Sequence, residues 1–217
     1  MTIDLVVQRA QEYLSNLGVA GWLLYDYLGM NAVFWDIIGP IPNVTRPCWF
    51  WIPSQGEPRF LVSYVDQGRF SNLGIKTTLF NGRTNMNEQL KSLLSDVRTV
   101  AMEYSPKSEL PRMSRVDAGT LELVRSFGVD VVSSSDTFQY AVQRWNRAQL
   151  DSHLVAARKL DDIVQQAFSY IGQSLALGIS EFDVAEFIRQ QFIDKGMVVT
   201  DGPVVAVNEH ASDPHFD

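Results

Sequence analysis

The chain has 217 residues, of which 46% are hydrophobic and 20% charged, a balance typical of a globular protein and not of a disordered one. Lys and Arg number 18 against 25 Asp and Glu, and the net charge of −7 comes with no run of basic residues, which argues against a nucleic-acid-binding protein. No apolar stretch approaches the roughly 18 residues of a membrane span, and the N-terminus lacks a signal-peptide pattern, so no association with a membrane is predicted.

Cysteine usage bears on the compartment and on one possible nucleophile. Cys48 is the only cysteine, so no internal disulfide can form, and we expect a cytoplasmic protein. A reactive thiol is one possible role for Cys48. Because it lies in the apolar run Cys48-Trp-Phe-Trp-Ile52, we predict a buried and inert thiol instead.

The first part of the chain alternates between helical and strand patterns. Apolar spacing and turn residues predict, in chain order, a helix over 3–17, a strand over 21–25, a short helix over 31–38, a hairpin with strands over 49–52 and 59–65, a helix over 85–94, a strand over 99–104, a helix over 116–127 and a strand over 129–133. Strand–helix alternation with an added hairpin predicts an α/β layered domain with a mixed sheet over residues 1–143.

The pattern changes after residue 143. Residues 143–175 hold no Gly or Pro except Gly172, and they predict one long helix. Its apolar stripe is formed by Leu150, Leu154, Ala157, Leu160, Val164, Phe168, Ile171 and Leu175. Ser180, followed three residues later by Asp183, is typical of a capping box that opens a second helix over 181–195.

Beyond the second helix, residues 197–199 and 204–207 are predicted as strands around the turn at 201–203. The sequence thus predicts a second domain over 144–217 that opens with two helices and a hairpin.

Side chains that could act chemically are concentrated near the C-terminus. They are Glu209, His210, Asp213, His215 and Asp217, and four of them could in principle ligate a transition metal. The alternative is a polar, frayed terminus, which spacing alone favours because metal ligands normally lie on rigid elements with supporting residues behind them. No metal site is therefore predicted in this chain.

The order of several motifs resembles the Xaa-Pro peptidase, prolidase and creatinase family of metallopeptidases. The likeness to the opening of that family's pita-bread catalytic domain is carried by Arg144-Trp-Asn-Arg-Ala-Gln-Leu150, Leu177-Gly-Ile-Ser-Glu-Phe-Asp-Val-Ala185, Pro203-Val-Val-Ala-Val207 and Asp213-Pro-His-Phe216. Trp22-Leu-Leu-Tyr-Asp26 and Asn31-Ala-Val-Phe-Trp35 resemble the creatinase-type N-terminal domain. Phe216 departs from the family, in which Tyr is common at that position.

The resemblance implies a fold and a chemistry. It implies a creatinase-like three-layer N-terminal domain with a mixed sheet, followed by an incomplete α+β pita-bread half-domain. In the family two divalent ions (Mn, Co or Zn), held by two Asp, one His and two Glu, activate water for attack on bonds to proline. All five ligands follow the position matched by His215, so the resemblance implies that this chain binds no metal and does not hydrolyse peptides by itself.

One functional residue carries over from the family. The counterpart of His215 donates a hydrogen bond to the substrate or to the tetrahedral intermediate, which is a catalytic contribution by resemblance only. An Xaa-Pro peptide is accordingly expected as a ligand only of a complete protein.

The sequence also bears on two functions other than peptide hydrolysis. Creatinase-type N-terminal domains contribute to dimerisation, so a homo-oligomer is expected, and a non-catalytic dimerisation or protein-binding module derived from the same family is the alternative function. A nucleotide-binding α/β domain is disfavoured, because neither G-x-G-x-x-G nor a P-loop follows any predicted strand.

Overall fold

The computed structural model describes residues 2–213, 215 and 216. The chain forms two compact units, Met1–Arg144 and Trp145–Asp217, called here the sheet unit and the helical unit. Among the described residues, no helix combines the length and the apolar character that crossing a bilayer requires.

The sheet unit is a six-stranded mixed sheet with helices on both faces. Its elements are α1 (Ile3–Leu17), β1 (Gly21–Asp26), α2 (Ala32–Ile38), β2 (Cys48–Pro53), β3 (Arg59–Ser63), α3 (Gln67–Phe70), β4 (Lys76–Phe80), α4 (Gly82–Leu93), β5 (Thr99–Met102), α5 (Ala118–Ser126), β6 (Asp130–Ser133) and α6 (Ser135–Ala141). The strand order is β4-β3-β2-β1-β5-β6, in which β2 runs antiparallel to both neighbours and all other neighbouring pairs are parallel. This confirms the predicted α/β class and mixed sheet.

Two apolar cores, one on each face of the sheet, make the unit three-layered. On one face α1, α2 and α6 cover residues such as Trp22 and Phe50. On the other face α4 and α5 cover Leu23 and Trp49. Neighbouring residues of β1 and β2 thus serve opposite cores, as the alternation of side chains along a strand requires.

Local chemistry explains the ends of α1 and the start of β1. The Thr2 side chain accepts a hydrogen bond from Leu5 N–H, and Gly18 ends the helix at φ 66°, a left-handed conformation that glycine adopts without strain. At Gly21 a Cβ atom would lie 2.2 Å from the Trp51 ring, so only glycine allows this close approach of β1 to the tryptophan.

Three elements of the sheet unit, α3, β4 and α6, were not predicted, and the hairpin strand β3 ends early. β4 has the weak pattern Lys-Thr-Thr-Leu-Phe of a half-exposed edge strand, and α6 has only 7 residues. β3 ends at Ser63, not at the predicted residue 65, because the Ser63 hydroxyl accepts a hydrogen bond from Val65 N–H and starts a 3₁₀ turn.

The helical unit contains the two predicted long helices, α7 (Arg147–Ser174) and α8 (Glu181–Asp194). α8 begins with the predicted capping box between Ser180 and Asp183. The residues that bury most completely at their contact are Ile163 and Ala167 of α7 and Val184 and Ala185 of α8, and the Tyr170 and Phe187 rings stack with centroids 4.6 Å apart.

The predicted strands at 197–199 and 204–207 are wrong. Those residues are irregular, and Val198, Val204 and Val207 are exposed. A strand needs a partner for its N–H and C=O groups, and an isolated two-stranded hairpin is at best marginally stable. Here Val207 N–H donates to the Glu181 carboxylate instead, and the regular elements of the second unit over the described residues are helices.

Candidate functional site

The Glu181 carboxylate, in the first turn of α8, connects that helix to the chain around His210. His210 Nδ1 lies 2.8 Å from Glu181 Oε2, and Val207 N–H donates to Glu181 Oε1 at 2.6 Å. The hydrogen bond with His210, and then the one from Val207, lower the pKa of Glu181 below its ordinary value. The position of Glu181 follows from the capping box, whose N-cap Ser180 makes Glu181 the first residue of the helix.

His210 also packs on Phe216. Their rings stack with centroids 4.4 Å apart and an interplanar angle of 14°. Phe216 borders a cavity of about 450 Å³ whose walls come from the first turns of α8 and from residues 202–205. Arg189 is the cationic group in this wall, and Glu181 is the anionic one. The cavity therefore places an acidic and a basic side chain beside an apolar surface, with Glu181 bound to His210 and Arg189 bound to Glu186.

His215, the predicted catalytic residue, is exposed one residue before Phe216. Its backbone N–H donates to Asp213 Oδ1 at 2.9 Å. The ring of His210, and not that of His215, makes the hydrogen bond with Glu181. Sequence reasoning had grouped both histidines with the polar terminus and had not connected either of them to Glu181.

The C-terminal carboxylates and histidines do not converge. Over residues 2–213, 215 and 216, no three His, Cys, Asp or Glu side chains come close enough to hold a metal ion. Asp217, one of the five candidates, lies outside the described residues. The residues present therefore do not fit the pair of divalent ions that the resemblance implies for a complete relative.

One buried acidic group of the sheet unit is surrounded by three side-chain donors. Glu103 is fully buried and accepts hydrogen bonds from Trp22 Nε1 at 2.6 Å, from Asn31 Nδ2 at 2.8 Å and from Ser134 Oγ at 3.1 Å. Burial raises the pKa of Glu103 from 4.5 to about 7, although the hydrogen bonds oppose that shift. Because the carboxylate directly follows β5 and its three donors lie in β1 and at the N-caps of α2 and α6, we assign it to the framework.

Cys48 is 1% exposed and its thiol lies 3.7 Å from the Asp26 carbonyl oxygen. Burial raises the pKa of the thiol well above its ordinary value, so the reactive thiolate is disfavoured. The prediction of a buried thiol is confirmed.

Comparisons with known proteins give a consistent fold. No family model and no curated protein matches the sequence. Solved structures do match, among them dipeptidase PepE from Mycobacterium ulcerans (TM-score 0.59, 17% identity), a recombinant prolidase from Thermococcus sibiricus (0.56, 13%) and a dipeptidase from Pyrococcus horikoshii OT3 (0.54, 16%). The chain has the fold of the prolidases.

This prolidase fold confirms the predicted resemblance at the level of structure. The matches cover 99%, 100% and 98% of this chain but only 55%, 57% and 56% of the three solved chains, in the same order. The chain thus spans little more than half the length of the structures it matches. At these identities the likeness establishes the fold, and the chemistry has to be argued from residues.

Proposed function

We propose that this chain is the N-terminal part of a dinuclear-metal peptidase that cleaves bonds to proline. One observation carries the proposal: nearly the whole chain, 98–100%, superposes on a prolidase and two dipeptidases. One of the motifs that prompted the resemblance, Leu177–Ala185, opens α8 through its capping box and supports the proposal.

Within that function, His215 is proposed to donate a hydrogen bond to the substrate carbonyl or to the oxyanion that forms from it. Its ring is exposed, and the Asp213 side chain accepts from its backbone N–H, which holds this turn of the chain. A donor aimed at a developing oxyanion contributes about 10²–10³ to kcat in other hydrolases.

Two preparations test the proposal. The 217-residue chain, incubated with Mn²⁺, Co²⁺ or Zn²⁺, should release no proline from Leu-Pro, because the ligands implied by the family follow the position of His215. The product of the complete reading frame should release proline in a metal-dependent way. Metal-dependent turnover by the repurified 217-residue chain, or none by the complete product, contradicts the proposal.

The role of His215 has its own test in the complete product. His215→Ala should lower kcat by about 10²-fold with a smaller change in KM, because the hydrogen bond strengthens as the oxyanion forms. His153→Ala, which changes an exposed histidine on α7, is the matched control and should leave kcat unchanged.

A non-catalytic interaction module is the second candidate, and one observation favours it. The predicted apolar stripe of α7 is largely exposed, with Leu154 44%, Val164 48% and Phe168 69% accessible. Exposed apolar patches of this kind mark interaction surfaces. Peptidase activity of the complete product would decide against this candidate.

A further inference from the structure

A cavity of about 610 Å³ opens in the sheet unit, apart from the residues considered above. It lies where the parallel strands β1, β3 and β4 end and where α4 and α5 begin. The strands contribute Tyr25, Ser63 and Phe80 to its lining, and the helices contribute Arg83 and Thr120. In open α/β sheets, ligands bind beyond the carboxyl ends of the strands, and the volume is in the range of small-molecule sites.

Aromatic side chains form the apolar wall. The Tyr25 and Trp49 rings are 4.4 Å apart, and Trp49 and Phe80 are 1% and 5% exposed. Trp49 Nε1 is buried and has no hydrogen-bond partner among the described residues, although an indole N–H in a protein interior normally has an acceptor. The wall thus combines an apolar surface with an unused donor.

The polar groups of this cavity favour an anion. Arg46 and Arg83 line it, and the one acidic side chain in the lining is Asp117. That carboxylate already caps α5, accepting from Thr120 N–H at 2.9 Å and from Thr120 Oγ1 at 2.7 Å. Desolvation alone would raise the pKa of Asp117, but these hydrogen bonds outweigh it and lower the pKa, so Asp117 stays committed to the helix.

The first turn of α4 adds further donors. Asn81 occupies the N-cap of this 12-residue helix, and its side chain makes no capping hydrogen bond. In contrast, a side-chain oxygen of Asp117 caps α5. Uncapped N–H groups at a helix N-terminus carry partial positive charge, and here they lie beside two arginines in the same lining.

We propose that this cavity binds a small organic acid, with the carboxylate between Arg46, Arg83 and the first turn of α4 and the apolar body against Tyr25, Trp49 and Phe80. Arginine suits this task because its planar guanidinium pairs with a carboxylate in two parallel hydrogen bonds. The site belongs to the sheet unit alone and does not depend on the proposed peptidase activity.

The test uses the full 217-residue chain labelled with ¹⁵N and three probes. 3-Phenylpropionate carries both features of the expected ligand, 3-phenylpropan-1-ol lacks the charge, and inorganic phosphate lacks the apolar body. The chain has 5 tryptophans, and the Trp49→Phe variant identifies the Trp49 indole N–H signal. 3-Phenylpropionate should shift that signal in a saturable way, with an affinity at least about tenfold above that of either partial probe.

Matched variants locate the carboxylate. Arg83→Gln and Arg46→Gln should each weaken 3-phenylpropionate binding by about tenfold, while Arg98→Gln, an exposed arginine outside this cavity, should leave it unchanged. Absence of a saturable shift at Trp49, equal binding of the alcohol, or equal binding of phosphate would each overturn the proposal.

Discussion

At the residue scale, the buried Glu103 carboxylate shows how a polar group can hold a core together. It accepts from Trp22 in β1 and from Asn31 and Ser134 at the N-caps of α2 and α6. The Asn31 side-chain oxygen in turn accepts from Val33 N–H and caps α2, while its side-chain nitrogen donates to Glu103. These two contacts together determine the orientation of the amide. Such a network is stable when every member is satisfied, and the remaining cost is that of burying the charge.

We expect that cost to appear as a pH dependence of stability. The unfolded chain loses the Glu103 proton near pH 4.5 and the folded chain retains it until about pH 7, so the folded state binds the extra proton between these values. The free energy of unfolding should therefore fall as pH rises through this window, by about 3 kcal/mol, and level off above it.

Chemical unfolding at several pH values measures this effect. The free energy of unfolding of Glu103→Gln minus that of wild type should rise by about 3 kcal/mol between pH 4.5 and pH 7, because Gln does not titrate. This change does not depend on the absolute stability of the variant. Glu109→Gln, an exposed glutamate, should keep the wild-type slope. Parallel curves for wild type and Glu103→Gln would contradict the assignment.

Gly21 gives a second prediction at this scale. A Cβ atom there would approach the Trp51 ring to 2.2 Å and the Ile52 carbonyl oxygen to 2.7 Å. Gly21→Ala should lower the free energy of unfolding by about 1–3 kcal/mol, since β1 and β2 would have to separate. Gly68→Ala, where a Cβ meets nothing within 4 Å, should cost little, and equal losses in thermal unfolding would refute the argument.

At the element scale, α8 owes its start to side chains close in sequence. Ser180 Oγ accepts from Asp183 N–H, and the Asp183 carboxylate accepts from Ser180 N–H. Glu181, the residue after Ser180, binds Val207 N–H and His210 through its carboxylate. A change at the cap should therefore also affect the chain around His210.

Ser180→Ala should reduce the stability of the helical unit by about 1 kcal/mol, because the first turn of α8 loses a capping acceptor. Hydrogen exchange should rise in residues 181–184 and in 207–210 together. Ser169→Ala changes a hydroxyl of α7 that donates to the Gln165 carbonyl, and it should leave exchange in both segments unchanged. A rise confined to 181–184 would show that Glu181 does not couple the two.

At the scale of the whole molecule, the long helices are the least covered elements. α7 packs on α8 through Ile163 and Ala167, and much of its apolar stripe stays exposed. Burying one large apolar side chain contributes roughly 1.5–3 kcal/mol, so burying a stripe of this size in an interface would strongly favour association. This motivates the expectation of a homo-oligomer.

We predict self-association of the chain at micromolar concentration through α7, measurable by light scattering. Val164→Lys combined with Phe168→Lys should shift it towards the monomer, because charges in the interface would be desolvated. Gln166→Lys, on an exposed polar position of the same helix, is the control and should associate as the wild type does. A wild-type monomer with strong exchange protection along α7 would contradict this prediction.

The sequence predicted the elements whose signals are local. α1, α7 and α8 were recognised from helical spacing, and the Ser180 cap from a spacing of three residues. The edge strand β4 was missed because its half-exposed residues alternate only weakly. The strands at 197–199 and 204–207 were wrong for the opposite reason, since runs of valine have β propensity but no strand among the described residues pairs with them.

Only the tertiary structure could decide the sites. Glu103 and Trp22 lie 81 positions apart, and Glu181 and His210 lie 29 apart, so no motif joins them. The cavity between Arg46 and Arg83 likewise exists only after β1, β2, β3 and β4 have paired. Periodicity and caps are properties of neighbouring residues and can be read from the chain, whereas convergence of distant side chains depends on which strands pair and in what register.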